Sequence, residues 1–117
     1  MKEFIIYHNP RCSKSRQTLQ LLRESGIEPT IVEYLKTPLV KEELVNISQL
    51  LGLRPKDFVR KGESDFKDSD LSKSLEDDDK IIDAMLLFPK IIERPIVVSE
   101  GEAVIGRPPE NLSLIHI

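Results

Sequence analysis

The chain has 117 residues, of which 39% are hydrophobic and 32% are charged, and its formal net charge is −3 at pH 7. This length predicts one soluble globular domain over residues 1–117, with a core that needs neither disulfides nor a metal. The acidic balance argues against nucleic-acid binding, and the apolar runs are too short to predict a membrane span. The first residues lack the apolar stretch of a signal peptide, so a cytoplasmic location is expected.

The first elements in chain order predict a βαβ unit. The apolar segment 3–7 is typical of a buried strand, residues 13–25 of a helix that Gly26 terminates, and residues 30–34 of a second strand. A strand, a helix and a strand at this spacing form a right-handed crossover. The first two strands should therefore be parallel.

The middle of the chain is predicted to be mostly helical, and prolines, glycines and acidic runs set the expected boundaries. The expected segments are a helix from Thr37-Pro38 to about Leu51, a short helix over 55–60, a polar loop over 61–70, and a helix from the acidic run 77–79 to Pro89.

The last part of the chain predicts a hairpin. Residues 95–99 and 102–105 are expected to be strands, and Glu100-Gly101 between them is typical of a tight antiparallel turn. Pro108-Pro109 should then open a short final helix. Together with the βαβ unit, this hairpin predicts an α/β fold with a mixed sheet and helices on its faces.

Cys12 is the only cysteine, and it stands between the first strand and the first helix. A helix N-terminus favours an anion, and Arg11, Lys14, Arg16 and a protonated His8 would add positive charge nearby. These effects favour the thiolate, which is the reactive form of cysteine. One cysteine excludes an internal disulfide, so a redox cycle through Cys12 needs a thiol from another molecule.

The neighbours of Cys12 have alternative roles. His8 could hold a proton near the sulfur or orient an anion, or it could bond to the loop backbone. Asn9-Pro10 is expected to shape the turn. Ser15 could donate a hydrogen bond to the sulfur, or it could cap the helix.

Three arginines stand at segment ends rather than within helix faces: Arg60, Arg94 and Arg107. A single such arginine is usually a solvated surface charge. Two of them precede proline, which restricts the backbone of the residue before it and so fixes the direction in which the side chain leaves. Guanidinium groups match tetrahedral oxyanions in shape and charge, so the three arginines are candidate oxyanion ligands.

Metal binding and phosphate-loop chemistry are not expected. The two histidines, His8 and His116, lie at opposite ends of the chain, and the acidic run 77–79 is interpreted as a helix start. No glycine-rich loop is present, and Gly62, Gly101 and Gly106 are interpreted as isolated turn residues.

The ordered motifs resemble one family across nearly the whole chain. Tyr-His-Asn-Pro-x-Cys-x-x-Ser-Arg at 7–16, Arg60, Arg-Pro-Ile-Val-Val at 94–98 and Arg-Pro at 107–108 are similar to the glutaredoxin-coupled arsenate reductase (ArsC) family. The charged residues around Cys12 and the end of the chain soon after Leu112 resemble a short, YfgD-like branch. The resemblance implies a thioredoxin-like fold, with a mixed four-stranded sheet, flanking helices and a helical insertion over about 38–90.

The resemblance also implies roles for single residues. Cys12 resembles the family nucleophile, and Arg60, Arg94 and Arg107 resemble the arginines that hold the oxyanion and the arsenylated sulfur. Residues His8, Asn9, Ser15 and Arg16 resemble those that activate the thiol and order its loop. Pro95 would follow a cis peptide bond beside the cysteine loop.

The implied activity is reduction of arsenate to arsenite, with no bound cofactor, glutathione as co-substrate, glutaredoxin as partner and a monomer as the default state. Two alternatives stay open. Spx-type regulators look similar but typically carry Cys-x-x-Cys, where this chain has Ser15. A monothiol glutaredoxin-like thiol transferase would fit Cys-x-x-Ser, but it has no need of Arg60 and Arg107.

Overall fold

A computed structural model describes residues 3–115, which form two compact units. The first unit comprises the chain up to Thr37 and from Arg94 onward, and the second comprises Pro38–Glu93. Among the described residues, no helix combines the length and the apolar character needed to cross a bilayer.

The first unit is built on the mixed four-stranded sheet that the sequence predicts. Its strands are β1 (Phe4–Tyr7), β2 (Thr30–Val32), β3 (Ile96–Ser99) and β4 (Glu102–Ile105), in the order β2-β1-β3-β4. Strands β1 and β2 are parallel, whereas β3 is antiparallel to both β1 and β4. The parallel βαβ unit and the antiparallel hairpin are therefore both confirmed.

Helix α1 (Ser13–Glu24) packs against a 3₁₀ helix (Pro109–Leu114), which also contacts β4. The buried face of α1 carries Thr18, Leu19 and Leu22, because residues three and four apart lie on one side of a helix. The core joins both helical segments to three strands through a cluster of buried apolar side chains: Phe4, Ile6, Leu19, Leu22, Val97, Val104, Leu112 and Ile115. This packing fixes the start of α1, where Cys12 stands.

The second unit contains three α-helices and three 3₁₀ turns. The helices are α2 (Lys41–Leu51), α3 (Ser64–Asp68) and α4 (Asp78–Leu87), and the turns are Pro55–Asp57, Leu71–Ser74 and Pro89–Ile91. Gly52 ends α2 in a left-handed conformation, and the side chain of Asp77 caps α4 by accepting the Lys80 N–H.

The predicted start of α2 at Thr37-Pro38 is wrong. The helix begins at Lys41, because the Glu43 side chain accepts the N–H of Val40 at 3.1 Å and satisfies one of the unpaired donors there. Acidic residues in the first turn also suit the positive end of the helix dipole.

Two further predictions in the second unit are wrong. Residues 61–70 contain helix α3 rather than only a polar loop, since the buried ring of Phe66 anchors one short turn. The predicted helix over 55–60 ends at Asp57, because the chain then turns extended and Val59 forms an antiparallel bridge with Ile92.

Candidate active site

Cys12 is the N-cap of α1, in the turn that follows β1. Asn9 organises this turn: its carbonyl accepts the Cys12 N–H at 3.0 Å, and its side-chain oxygen accepts the Arg11 N–H at 3.0 Å. The carbonyl of Cys12 accepts the Arg16 N–H, so the helix starts directly after the cysteine. Cys12 is half-buried and its thiol is free, and the residue stands at the positive end of α1.

His8 and Ser15 form a buried pair beneath the cysteine loop. His8 Nδ1 lies 2.6 Å from Ser15 Oγ, which also accepts the Asn9 N–H at 3.1 Å. Neither of the two roles considered for Ser15 is seen, because its hydroxyl contacts His8 and the N–H of Asn9 instead. The pair links His8, directly after β1, to Ser15 in the first turn of α1. This contact orders the cysteine loop between them.

The expectation of a protonated His8 is wrong. Burial lowers the pKa of His8 below its usual 6.5, because a buried imidazolium loses its hydration. The nearby carboxylate of Glu33 opposes this effect, whereas Arg23 and Arg16 add to it. At neutral pH His8 is therefore uncharged and contributes a hydrogen-bonding ring rather than positive charge.

Arg107 provides a direct cationic contact to the sulfur. Its Nη1 donates toward Cys12 Sγ at 3.7 Å and toward the carbonyl of Arg94 at 3.3 Å. A guanidinium N–H aimed at sulfur stabilises the anionic form more than the neutral one. The contact joins residues 95 positions apart in the sequence.

The other basic residues of the loop contribute less. Arg11, Lys14 and Arg16 are exposed, so solvent and salt weaken their effect on the sulfur. Arg16 has a clear structural contact, because its Nη1 donates to the carbonyl of Pro10 at 2.9 Å. It therefore helps to fix the loop shape.

Close backbone packing places Arg107. The peptide bonds Arg94–Pro95 and Arg107–Pro108 are both cis, the first as the family resemblance implies. Gly106 N–H donates to the Pro95 carbonyl at 2.9 Å, and a Cβ on Gly106 would lie 2.5 Å from Thr18 Oγ1 and 2.9 Å from Pro95 Cγ. The interpretation of Gly106 as an isolated turn residue is wrong, since it allows α1 and the Pro95 segment to approach each other.

Asn111 is a second residue that the sequence analysis missed. Its Nδ2 donates to the carbonyls of Ile105 and Arg107 at 3.2 and 3.1 Å, which braces the backbone on both sides of Gly106. Asparagine side chains often bond to nearby backbone groups, and this tendency could have indicated the role.

Arg94 and Arg60 belong to different units of the structure. Arg94 contributes its carbonyl to the Arg107 contact, and its own Nε atom is buried. Arg60 belongs to the second unit, where it forms ion pairs with Glu63 and Glu93. Its convergence on Cys12 stays a prediction from the family resemblance.

Within residues 3–115, no group of three or more His, Cys, Asp or Glu side chains could hold a metal ion. His116, the second histidine considered as a ligand, lies outside the described residues. The chemistry available in the first unit is that of a sulfur nucleophile with a guanidinium beside it and open N–H groups in the first turn of α1. Such an arrangement suits attack on an oxyanion.

Comparison with known proteins agrees with this geometry. The model of the ArsC family matches residues 7–115. The uncharacterized protein YfgD of Escherichia coli strain K12 is 46% identical over 112 residues, which cover 95% of this chain and 94% of that protein. An arsenate reductase of the same strain is 41% identical over 110 residues, covering 94% and 78% of the two chains.

A solved structure, the arsenate reductase from Vibrio cholerae, shares the fold closely. It superposes with a TM-score of 0.93 at 46% identity, and the match covers 97% of this chain and 98% of that one. The mixed four-stranded sheet with its flanking helices is thus a known thioredoxin-like architecture. With the family match spanning the cysteine loop, the helical unit and both Arg-Pro segments, the chain belongs to the ArsC family.

Proposed function

We propose that this protein reduces arsenate to arsenite with Cys12 as nucleophile, glutathione as electron donor and a glutaredoxin as recycling partner. The observation that carries the proposal is the contact of Arg107 with Cys12 Sγ at the N-terminus of α1. A core cysteine would need neither a guanidinium nor a helix start beside it. An oxyanion that reacts with sulfur needs both.

In the first step the Cys12 thiolate attacks arsenic, an S–As bond forms, and a hydroxide leaves as water after taking a proton. The transition state carries extra negative charge on the arsenate oxygens. Arg107 and the N–H groups of the first helical turn can stabilise this charge, and preorganised donors of this kind usually contribute most to such a reaction. Arg60 and Arg94 are assigned as further oxyanion ligands.

In the second step a glutathione thiolate attacks Cys12 Sγ. The S–As bond breaks with its electron pair going to arsenic, so arsenic(V) becomes arsenic(III) and leaves as arsenite. The two thiols are oxidised together to a mixed disulfide. Because Cys12 is the only cysteine of the chain, this disulfide must be resolved by an external thiol, and a glutaredoxin thiolate serves that purpose.

A coupled assay tests the proposal with purified protein, arsenate, glutathione, glutaredoxin and an NADPH-linked glutathione reductase. We expect arsenate-dependent NADPH consumption that is lost in Cys12→Ser. Arg94→Ala should lower turnover strongly, on the order of a hundredfold for loss of an oxyanion ligand, while the far-UV spectrum stays unchanged.

Two outcomes would contradict the proposal. Wild-type turnover no higher than that of Cys12→Ser would refute arsenate reduction. If that inactive protein removed glutathione from glutathionylated peptides, it would be a thiol transferase. Capture of RNA polymerase, the partner that the resemblance to Spx-type regulators implies, by the same inactive protein would instead favour a regulator.

A further inference from the structure

Arg60 lies between two carboxylates of its own unit. Its Nη1 is 3.2 Å from Glu63 Oε1, and its Nε is 3.7 Å from Glu93 Oε1. The exposed fractions of the three side chains are 25%, 30% and 27%, so water screens these contacts less than it screens ordinary surface pairs. In this structure the guanidinium of Arg60 is therefore paired with two carboxylates.

The backbone fixes the three residues near one another. Arg60 N–H donates to the Ile91 carbonyl at 2.6 Å, and Glu93 N–H donates to the Phe58 carbonyl at 2.9 Å, on either side of the Val59–Ile92 bridge. Glu63 is three residues after Arg60 and is the N-cap of α3. The pairing is therefore supported by backbone contacts within the second unit.

The contact with Glu63 is ionic but is not a good hydrogen bond. Arg60 Nη1 is buried, yet among residues 3–115 it has no acceptor in hydrogen-bonding geometry. A buried donor without an acceptor is costly, and a tetrahedral oxyanion can present an acceptor in the direction that the carboxylate does not. An anion could therefore replace the carboxylates at this guanidinium.

The carboxylates also oppose such an anion. Glu63 and Glu93 each bring a negative charge to Arg60, so an incoming dianion meets repulsion from the carboxylates as well as attraction to the guanidinium. If the carboxylates only positioned the guanidinium, their removal would weaken anion binding. If they compete with the anion, their removal would strengthen it.

We infer that Glu63 and Glu93 compete with the oxyanion for Arg60, so that binding at this arginine requires displacement of its carboxylate partners. The two glutamates are positioning residues that set the affinity of Arg60 for an anion. The inference rests on the proposed function in taking Arg60 as an oxyanion ligand. It assigns to the glutamates a role that follows from their own contacts.

The experiment is a sulfate titration followed by NMR at the Nε–Hε signal of Arg60, which is assigned by its loss in Arg60→Lys. Sulfate is a tetrahedral dianion that Cys12 does not reduce. Glu63→Gln and Glu93→Gln remove one charge each and keep the side-chain shape. Each should lower the half-saturating sulfate concentration by roughly three- to tenfold, since a unit charge a few ångströms from the bound anion is removed.

The matched control is Glu42→Gln, which removes the same charge from an exposed position of α2 in the same unit. It should leave the titration unchanged. An unchanged or raised half-saturating concentration in both glutamine variants would overturn the inference, and so would an Arg60 signal that sulfate does not move in any variant.

The failure of this inference and the failure of the proposed function can be told apart. Tighter sulfate binding in the glutamine variants, without arsenate turnover in the wild-type protein, would leave the competition intact and refute the reductase. If the wild-type protein turned over arsenate, Arg60→Lys reduced that turnover, and the glutamine variants gained no sulfate affinity, the reductase would stand and the competition would be refuted.

Discussion

At the scale of single residues, Arg107 tests whether a direct contact with the sulfur affects Cys12 more than general positive charge nearby does. Replacement by glutamine removes the N–H that points at Cys12 Sγ. We expect the rate of Cys12 alkylation by iodoacetamide at pH 7 to fall by roughly five- to thirtyfold, because a charge-assisted contact of about 1–2 kcal/mol with the thiolate is lost. Mass spectrometry of the alkylated protein over time measures this rate.

Arg11→Gln is the matched control for this prediction. It removes the same charge one residue from Cys12, but from an exposed position. Solvent screening should limit its effect to less than about twofold. Equal losses in both variants would mean that the contact drawn from Arg107 to the sulfur has no special effect.

His8 gives a prediction about pH. Its pKa in the folded protein is below the unfolded value of 6.5, so below pH 6.5 the unfolded chain binds more protons at this residue than the folded protein does. The stability contributed by neutral His8 is thus complete above pH 6.5 and declines as pH falls toward the folded pKa. Urea unfolding at pH 7.5 and 5.5 should show this loss in the wild-type protein and a smaller one in His8→Gln.

The comparison for that experiment is His116→Gln, which changes the other histidine of the chain. The difference between this variant and His8→Gln isolates the part of the pH dependence that belongs to His8. A loss of stability that His8→Gln does not reduce would assign the pH dependence to other groups.

Residues whose role depends on local sequence could be predicted, and those whose role depends on distant packing could not. Cys12 at a helix start and Asn9 in a turn follow from their neighbours along the chain. The uncharged state of His8 follows from burial, which no local pattern reports. The Arg107 contact was expected only through family resemblance, because spacing alone cannot bring residues so far apart together.

At the scale of elements, the close approach of α1, the Pro95 segment and the residue after β4 depends on the missing side chain of Gly106. A methyl group there would meet Thr18 Oγ1 at 2.5 Å and Pro95 Cγ at 2.9 Å, both well inside normal contact. Gly106→Ala should therefore lower the free energy of unfolding by about 1–3 kcal/mol, the usual cost of overpacking. Urea denaturation measures the change.

Gly62→Ala is the matched control for Gly106→Ala. A Cβ at Gly62 would meet nothing within 4 Å, so alanine should be neutral or stabilise by up to about 1 kcal/mol through the unfolded chain. A similar loss of stability at both positions would contradict the packing argument.

The elements that the sequence predicted well have strong periodic patterns and clear terminators. Strand β4 and the start of α1 match the expected residues, and Gly52 ends α2 as predicted. Helix α3 was missed because it is one turn long, and a single buried Phe66 gives no period to detect. The 58–60 segment was missed because its partner at 91–93 lies a whole helix away.

At the scale of the whole molecule, the two units differ in how they are held together. The first unit has a continuous apolar core beneath the sheet. The second unit has buried helix faces and, in addition, a surface network of ion pairs: Arg54 contacts Glu76 and Asp78, and Lys56 contacts Glu76. The network joins the 3₁₀ turn after α2 to the start of α4, so salt and strong acid should weaken these contacts at the surface of the second unit.

Glu76 is the residue that tests this view. Hydrogen bonds from Lys56 and Arg54 lower the pKa of Glu76 below its usual 4.5. Its contribution to stability is therefore present above pH 4.5 and is lost as pH falls through the folded pKa. Glu76→Gln should lower the thermal midpoint at pH 7 by no more than about 3 °C, since the pairs are exposed, and 1 M NaCl should shrink the difference from the wild-type protein. Glu100→Gln, at the hairpin turn, should change neither the thermal midpoint nor its dependence on salt. If the thermal midpoint of Glu76→Gln stayed below that of the wild-type protein by the same amount in acid and in salt, packing rather than charge would hold this surface.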